Sequence, residues 1–317
     1  MKAVVIFEPG GPEKLIYTDW PTPETRPGWS LVKVKGLGVN HSEIFTRQGL
    51  SPSVRFPRVL GIECVGIVSD TTDPDRLPVG RKVISLMGEM GRAFDGGYAE
   101  YALLPNEQIC PVDTELDWVT LAALPETYYT AFGSFRNLQI RDTDRVLVRG
   151  GTSGVGVAFL RLVKGKYPGV PVAGTTRSAK KAGLLKRAGY DEVILETDGK
   201  LETEERFTRV LELIGPAALR DTFAHTAEGG IVCSTGQLGG QWTVEGMDPI
   251  MDLPPNGYLT SFYSGNVDGA RLQAMLDYVA AYRVDASPER VFRLDQIPQA
   301  HAWLESGDAL GKAVAVL

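Results

Sequence analysis

Residues 149–156 read Arg-Gly-Gly-Thr-Ser-Gly-Val-Gly, and no other stretch of the chain narrows its possible folds as much. The run follows Arg145-Val-Leu-Val148, a short apolar segment of strand type, and leads into a helical pattern over residues 154–166. Pro168-Gly169 stops that helix, Val170-Pro-Val-Ala173 reads as the next strand, and residues 178–188 read as the next helix. Strand–helix alternation of this kind predicts a parallel sheet with helices on its faces. Glycines at the first strand–helix junction let the backbone turn tightly and approach a ligand closely. The helix start then offers free N–H groups and a partial positive charge to a pyrophosphate. The spacing, Gly151-x-x-Gly154-x-Gly156, departs from the usual Gly-x-Gly-x-x-Gly, with Arg149 in the first glycine's place. In this strand-to-helix context Gly151, Thr152, Ser153, Gly154 and Val155 read as a dinucleotide-binding turn, the alternative being a tight turn that only packs.

Charge around the turn narrows the cofactor. Between Asp144 and Asp191 there is no acidic residue, while that span holds ten Lys or Arg. Sites that prefer NAD place Asp or Glu about 20 residues past the turn, on the ribose 2′-hydroxyl. Here that region reads Gly174-Thr-Thr-Arg-Ser-Ala-Lys-Lys181. Hydroxyls and cations suit a 2′-phosphate, so Thr176, Arg177, Ser178 and Lys181 favour NADPH over NADH. The alternative for Lys180, Lys181, Lys186 and Arg187 is a solvated helix face; Arg177, at the strand end, is the least open to it.

Outside this segment the texture differs. Up to about residue 120, short β-rich runs (Leu31–Lys35, Cys64–Val68, Lys82–Leu86, Tyr98–Ala102) alternate with Gly and Pro, which predicts an irregular, largely antiparallel β domain. The tail is mixed, with a helix near 270–282 and a last strand over Lys312–Leu317. A chain of 317 residues suggests about two domains. Its hydrophobic content of 43% and charged content of 23% exclude a disordered chain. Cys64, Cys110 and Cys233 lie at neither metal nor redox spacing, which points to a reducing compartment. A net charge of −6 offers no whole-protein attraction to nucleic acid or an anionic membrane. The apolar start, Lys2-Ala-Val-Val-Ile-Phe7, has strand length and no cleavage pattern, and no stretch has the ~20 apolar residues of a membrane span, so a cytoplasmic location is expected.

A further set of motifs carries a family resemblance: Gly38-Val-Asn40 followed by Arg47-x-Gly49, then Gly61-Ile-Glu-Cys-Val-Gly66, Asp95-Gly-Gly-Tyr-Ala-Glu-Tyr101, the turn at Gly150–Gly156, and Gly311-Lys312 near the end. With the β domain first and the dinucleotide unit second, the chain resembles the medium-chain dehydrogenase/reductase superfamily, and within it the zinc-independent quinone oxidoreductase branch. That resemblance implies an α/β fold: a GroES-like irregular β domain over 1–122 and 263–317, and a Rossmann-type doubly wound parallel sheet over 123–262. It implies a substrate held in the cleft between the domains. Zinc members of the superfamily bind metal through a Cys, a His and a later Cys. This chain has Asn40, Ile62 and Glu126 in those places, and no cysteine near 86–97, where a structural zinc lobe would fall. Zinc catalysis needs three protein ligands, so no metal is expected.

Without zinc the chemistry narrows. Alcohol oxidation needs a group that stabilises the hydroxyl's developing charge, which zinc supplies. Hydride addition to a quinone or enone instead spreads charge into a delocalised anion, for which a few donors and good positioning suffice. The expected activity is therefore NADPH-dependent reduction of a quinone or α,β-unsaturated carbonyl. Two alternatives stay open: a zinc-type alcohol dehydrogenase, and a non-catalytic NADPH-binding protein of the crystallin-like or RNA-binding kind. By resemblance Asn40, Ser42 and Thr130 are the candidate catalytic residues, with Asn40 donating its amide to a substrate carbonyl and Ser42 relaying a proton; the alternatives are a turn residue for Asn40 and a local backbone bond for Ser42. Phe45, Tyr129 and Phe262 would line the substrate pocket, the alternative for such rings being core packing. His41, Thr130, Thr235, Gly236, Ser261 and Lys312 would join the glycine turn around the cofactor. Relatives often carry a Tyr beside the adenosine ribose where this chain has Glu196. Relatives also commonly dimerise through the last Rossmann strand, here about Tyr258–Tyr263, a run with strong β propensity, so a homodimer is expected.

Overall fold

The computed structural model describes all 317 residues. In chain order the strands are β1 (Lys2–Ile6), β2 (Leu15–Asp19), β3 (Trp29–Val39), β4 (Arg58–Val59), β5 (Glu63–Asp70), β6 (Lys82–Leu86), β7 (Tyr101–Pro105) and β8 (Ile109–Pro111). They continue with β9 (Val146–Arg149), β10 (Val172–Thr176), β11 (Glu192–Thr197), β12 (Lys200–Leu201), β13 (Phe207–Glu212), β14 (Thr226–Ser234), β15 (Tyr258–Ser261), β16 (Arg290–Arg293) and β17 (Ala313–Val316). The helices that matter below are α1 (His41–Arg47), α2 (Trp118–Ala122), α3 (Pro125–Leu138), α4 (Gly154–Lys166), α5 (Ala182–Ala188) and α6 (Leu219–Ala224).

Two compact units result. The first comprises Met1–Tyr129, Gly265–Asp277 and Ala286–Leu317, and the second Thr130–Ser264 with Tyr278–Asp285. The expected boundary at 122 moves to the middle of α3, and residues 278–285 join the second unit rather than the first. Tyr278 explains the second difference: its hydroxyl donates to the Leu162 carbonyl at 3.0 Å, and its ring lies 5.5 and 5.3 Å from those of Phe132 and Phe135.

In the first unit β3 is the hub, antiparallel to β5, β7 and β17. Its alternation explains why: Val32 and Val34 are buried while Lys33 between them is exposed, so one face packs and the other meets water. Tyr98–Glu100, expected to be strand, is irregular, and the strand begins at Tyr101. There the chain is pinned between two neighbours, with Tyr98 donating to the Leu60 carbonyl at 3.0 Å and accepting from the Val4 N–H at 2.8 Å.

The second unit carries a seven-stranded sheet in the order β12-β11-β10-β9-β13-β14-β15, parallel from β11 to β15, with β12 folded back antiparallel on β11. Strands β9 and β10 are buried along their whole length, as central strands covered on both faces are. Strand order reverses between β9 and β13, which is where open α/β sheets bind ligands at their carboxyl ends. At the far edge β15 leaves Tyr258 63% and Leu259 39% exposed. No helix is long and apolar enough to cross a membrane.

Candidate functional site

The turn after β9 is held in a tight frame by its own hydrogen bonds. Gly150 has φ +84°, which only glycine adopts without strain, and its N–H donates to the Thr175 hydroxyl at 3.0 Å. Ser153 caps α4: its hydroxyl donates to the Gly150 carbonyl at 2.8 Å and accepts from the Gly156 N–H at 3.1 Å. The Tyr190 hydroxyl, buried, lies 3.0 Å from the carbonyls of both Gly151 and Gly156. A Cβ on Gly156 would stand 2.8 Å from the Gly150 carbonyl oxygen, so the turn closes only on glycine there. This frame leaves the first-turn N–H groups of Gly154 and Val155 to a partner outside the helix, with no acidic residue in that turn to repel an anion. Thr152, Ser153, Gly154 and Val155 all remain partly exposed. The residues present fit a pyrophosphate.

Arg149 does not reach toward that ligand space. Its guanidinium is fully buried and pairs with Glu196 at 3.0 Å and Asp221 at 2.8 Å, and it also donates to Thr222 Oγ1 and to the Ala218 and Gly199 carbonyls. Glu196, 4% exposed, accepts from the Thr175 hydroxyl at 3.3 Å through its other oxygen. Beside them Glu212, whose carboxyl burial pushes above the usual range, accepts from Thr222 Oγ1 and the Ile214 and Gly215 N–H groups. At the end of β10, Thr176 is buried and its hydroxyl is taken up by the Ser178 backbone. Arg177 is exposed and Lys181 half-buried.

Five more expected residues lie on or beside α3 from Thr130 onward within this unit. The Thr130 carbonyl accepts from Ser134, whose hydroxyl lies 2.9 Å from that of Thr235. Asn137 donates to the Ser261 carbonyl at 2.9 Å, and the Phe262 ring covers Gly133, where a Cβ would meet it at 2.2 Å. Gly236 follows Thr235 at the end of β14, its N–H turned toward the Glu212 carbonyl at 3.3 Å.

The first unit holds a buried charge cluster at the start of α1. Asn40 precedes that helix, and its Nδ2 donates to Glu63 Oε1 at 2.8 Å and to Glu43 Oε1 at 3.4 Å. The Lys312 ammonium donates to Asn40 Oδ1 at 2.5 Å and to Glu63 Oε1 at 2.6 Å. Glu63 Oε2 accepts from the Glu126 N–H in the first turn of α3 at 2.7 Å, a helix end that favours a carboxylate. Glu43 closes a capping box on Asn40 N–H, and also accepts from Ile62 N–H at 3.2 Å and from the Ser42 hydroxyl at 3.2 Å. Gly38 makes room for all of this: a Cβ there would stand 2.0 Å from Glu63 Oε1 and 2.6 Å from Lys312 Cε.

Burial and the neighbouring Glu63 charge push the Glu43 carboxyl up to about 7, against the pull of Lys312. Below lies a second pair: the Tyr98 hydroxyl is 3.0 Å from His301 Nε2, and burial holds His301 down to about 3. Arg47, 1% exposed, grips Glu305 through two bonds of 2.9 and 2.7 Å.

Several expectations change in detail. Asn40 does not present its amide freely: the carboxylates take its N–H groups and Lys312 its oxygen. Ser42 spends its hydroxyl on Glu43. Tyr129 is fully buried, its hydroxyl held by the Asn266 carbonyl, the Asp268 N–H and Arg271, so it secures a loop instead of lining an open pocket. Phe45, by contrast, is 52% exposed, and His41 is exposed. Lys312, expected at the cofactor, is tied into the cluster. Sequence reasoning assigns no site role to Glu43, Glu63, Tyr98 or His301; Glu63 and Tyr98 lie inside the quoted motifs, and Gly38 marks the close approach that joins Glu63 to Lys312.

The cluster also bears on metal. No three His, Cys, Asp or Glu side chains converge. Ile62 is alkyl and buried, the Asn40 oxygen serves Lys312, and Glu63 is held by an ammonium 2.6 Å away. This donor set does not fit zinc.

Comparison with known proteins gives consistent neighbours. Residues 26–114 match the alcohol dehydrogenase GroES-like domain, and residues 188–314 match a zinc-binding dehydrogenase family. A quinone oxidoreductase of Mus musculus is 33% identical over 201 residues, 61% of this chain and 57% of the mouse protein. The chain thus spans under three fifths of the length of the mouse relative and of its rat counterpart. Among solved structures, a mycobacterial protein complexed with NADPH is 25% identical with a TM-score of 0.78, covering 100% of both chains. The Bacillus subtilis protein yhfP with NAD bound is 22% identical with a TM-score of 0.85, covering 100% of this chain and 99% of that one.

Proposed function

We propose, for a chain that belongs to the medium-chain dehydrogenase/reductase superfamily and to its quinone oxidoreductase-like branch, that it is an NADPH-dependent reductase of quinones or α,β-unsaturated carbonyls that works without zinc. The observation that carries this reading is the replacement of a metal-ligating donor set by the Asn40–Lys312–Glu63 triad. Bound nicotinamide would supply the hydride. The chain's own residues hold the pyrophosphate on Gly154 and Val155 N–H groups, and the cations at the end of β10 favour the phosphorylated ribose.

Hydride addition to a conjugated carbonyl leaves negative charge on oxygen, and a preorganised donor there lowers the barrier. Lys312 can meet that need. An ammonium has three donors, and Asn40 and Glu63 occupy two of them, so one is left for a substrate oxygen. Asn40→Ala is expected to lower turnover by roughly one to three decades, because it releases the ammonium from its fixed position. An unchanged rate in steady-state assays would reduce Asn40 to a helix cap. The reading as a whole is tested by NADPH oxidation over a panel of quinones, enals and enones. Failure to turn over any of them, with NADPH bound, would favour a non-catalytic binding protein.

Metal and assembly give two further expectations. Purified protein should hold well under one zinc per chain, and chelators should leave turnover intact; stoichiometric zinc with chelator-sensitive activity would overturn the zinc-free mechanism. The exposed edge of β15, with Tyr258 63% and Leu259 39% exposed, supports a homodimer formed by pairing of that strand with its copy. Sedimentation at micromolar concentration should show twice the chain mass, and a strict monomer would refute it. The three cysteines are buried free thiols, in keeping with a reducing compartment such as the cytoplasm.

A further inference from the structure

The end of β11 carries Glu196, a carboxylate one position beyond Leu195, which lies in register with Thr176 of β10. A carboxylate free to face the cofactor there would repel a 2′-phosphate and favour a plain ribose diol. It is not free. Arg149 draws one oxygen of Glu196 inward at 3.0 Å, and the other is 3.3 Å from Thr175 Oγ1, which in turn accepts from the Gly150 N–H. The chain Arg149–Glu196–Thr175–Gly150 therefore ties the charge on β11 to the phosphate turn itself.

We propose that Arg149 and Glu196 form a cofactor-specificity pair, in which the buried guanidinium withdraws and neutralises the carboxylate near the end of β11. Arg149 acts as a positioning residue: it faces no ligand and works through Glu196 and the turn. The pair leaves Arg177 and Lys181 as the charges that a 2′-substituent meets. Asp221 at 2.8 Å holds the other side of the guanidinium, so Arg149 is fixed between two carboxylates and is the cation paired with Glu196. This inference rests on the NADPH reading above and explains how that reading survives an acidic residue on β11.

The test is calorimetric binding of NADPH, NADH and 2′,5′-ADP to the intact protein, with thermal melts as a folding check. Arg149→Leu should weaken NADPH and 2′,5′-ADP by about tenfold relative to NADH, since an uncompensated charge acts over roughly 10 Å in a medium of intermediate polarity. Adding Glu196→Gln to that variant should restore most of the loss. Glu196→Gln alone should tighten 2′,5′-ADP several-fold, and it decides the matter if Arg149→Leu does not fold. A folded Arg149→Leu that keeps the wild-type ratio, a double variant as weak as the single one, or Glu196→Gln with unchanged or weaker binding each overturns the pair. Wild type that binds NADH as tightly as NADPH would overturn the cofactor reading instead, while the shifts among variants would still decide the pair.

Discussion

Lys312→Met is expected to lose roughly 3–5 kcal/mol of folding stability, because it strands a buried carboxylate without its counter-ion. Glu63 is fully buried, and the ammonium 2.6 Å away is the only cation bonded to it; its other partners are Asn40 and the Glu126 N–H. Denaturant unfolding measures the loss, and a drop below about 1 kcal/mol would mean that the pair is no stronger than an exposed one. The same cluster sets a pH dependence whose sign follows from Glu43. Its folded value, about 7, lies above the ordinary 4.5. Below 4.5 both states hold the proton and no penalty exists; as pH rises through 7 the unfolded chain gains by ionising first. Relative to Glu43→Gln, wild type should therefore lose about 3 kcal/mol between pH 4.5 and pH 8. His301 acts in the opposite sense: held down to about 3, it destabilises the fold as pH falls from 6.5 toward 3, so the comparison with Glu43→Gln is what isolates the carboxyl. A pH-independent difference between the two proteins would show that Glu43 titrates normally.

NADPH should be preferred over NADH by at least ~30-fold in kcat/KM, a gap of about 2 kcal/mol. A 2′-phosphate brings nearly two negative charges and strong acceptor oxygens. Charge-assisted bonds from Arg177 and Lys181 are worth roughly 1–3 kcal/mol each before screening, and both groups are open enough to water that only part of this survives. Thr176 adds less than its position suggests, since its hydroxyl already serves Ser178. Arg177→Ala should erase most of the gap by raising the KM for NADPH while leaving NADH nearly untouched. Equal use of both cofactors by wild type would mean that these cations are ordinary surface charge.

Local grammar made much of this protein legible in one dimension. The strand ending at Arg149, the helix over 154–166 and the glycine turn between them follow from short-range sterics and capping, which depend on neighbours within a few residues. The motifs around Gly38, Gly61 and Asp95 carried the family resemblance in the same one-dimensional form. Charge contacts between distant positions had no such signature. Nothing near Arg149 announces that its partners are Glu196 and Asp221, 47 and 72 positions on. Nothing near Asn40 announces that Lys312 will occupy its oxygen across 272 positions. A side chain's exposure and its bonds are set by which strands the sheet places side by side. For Asn40 and Tyr129 both a ligand contact and an internal fastening were therefore open in sequence, and only the tertiary structure supplied the fastening partners.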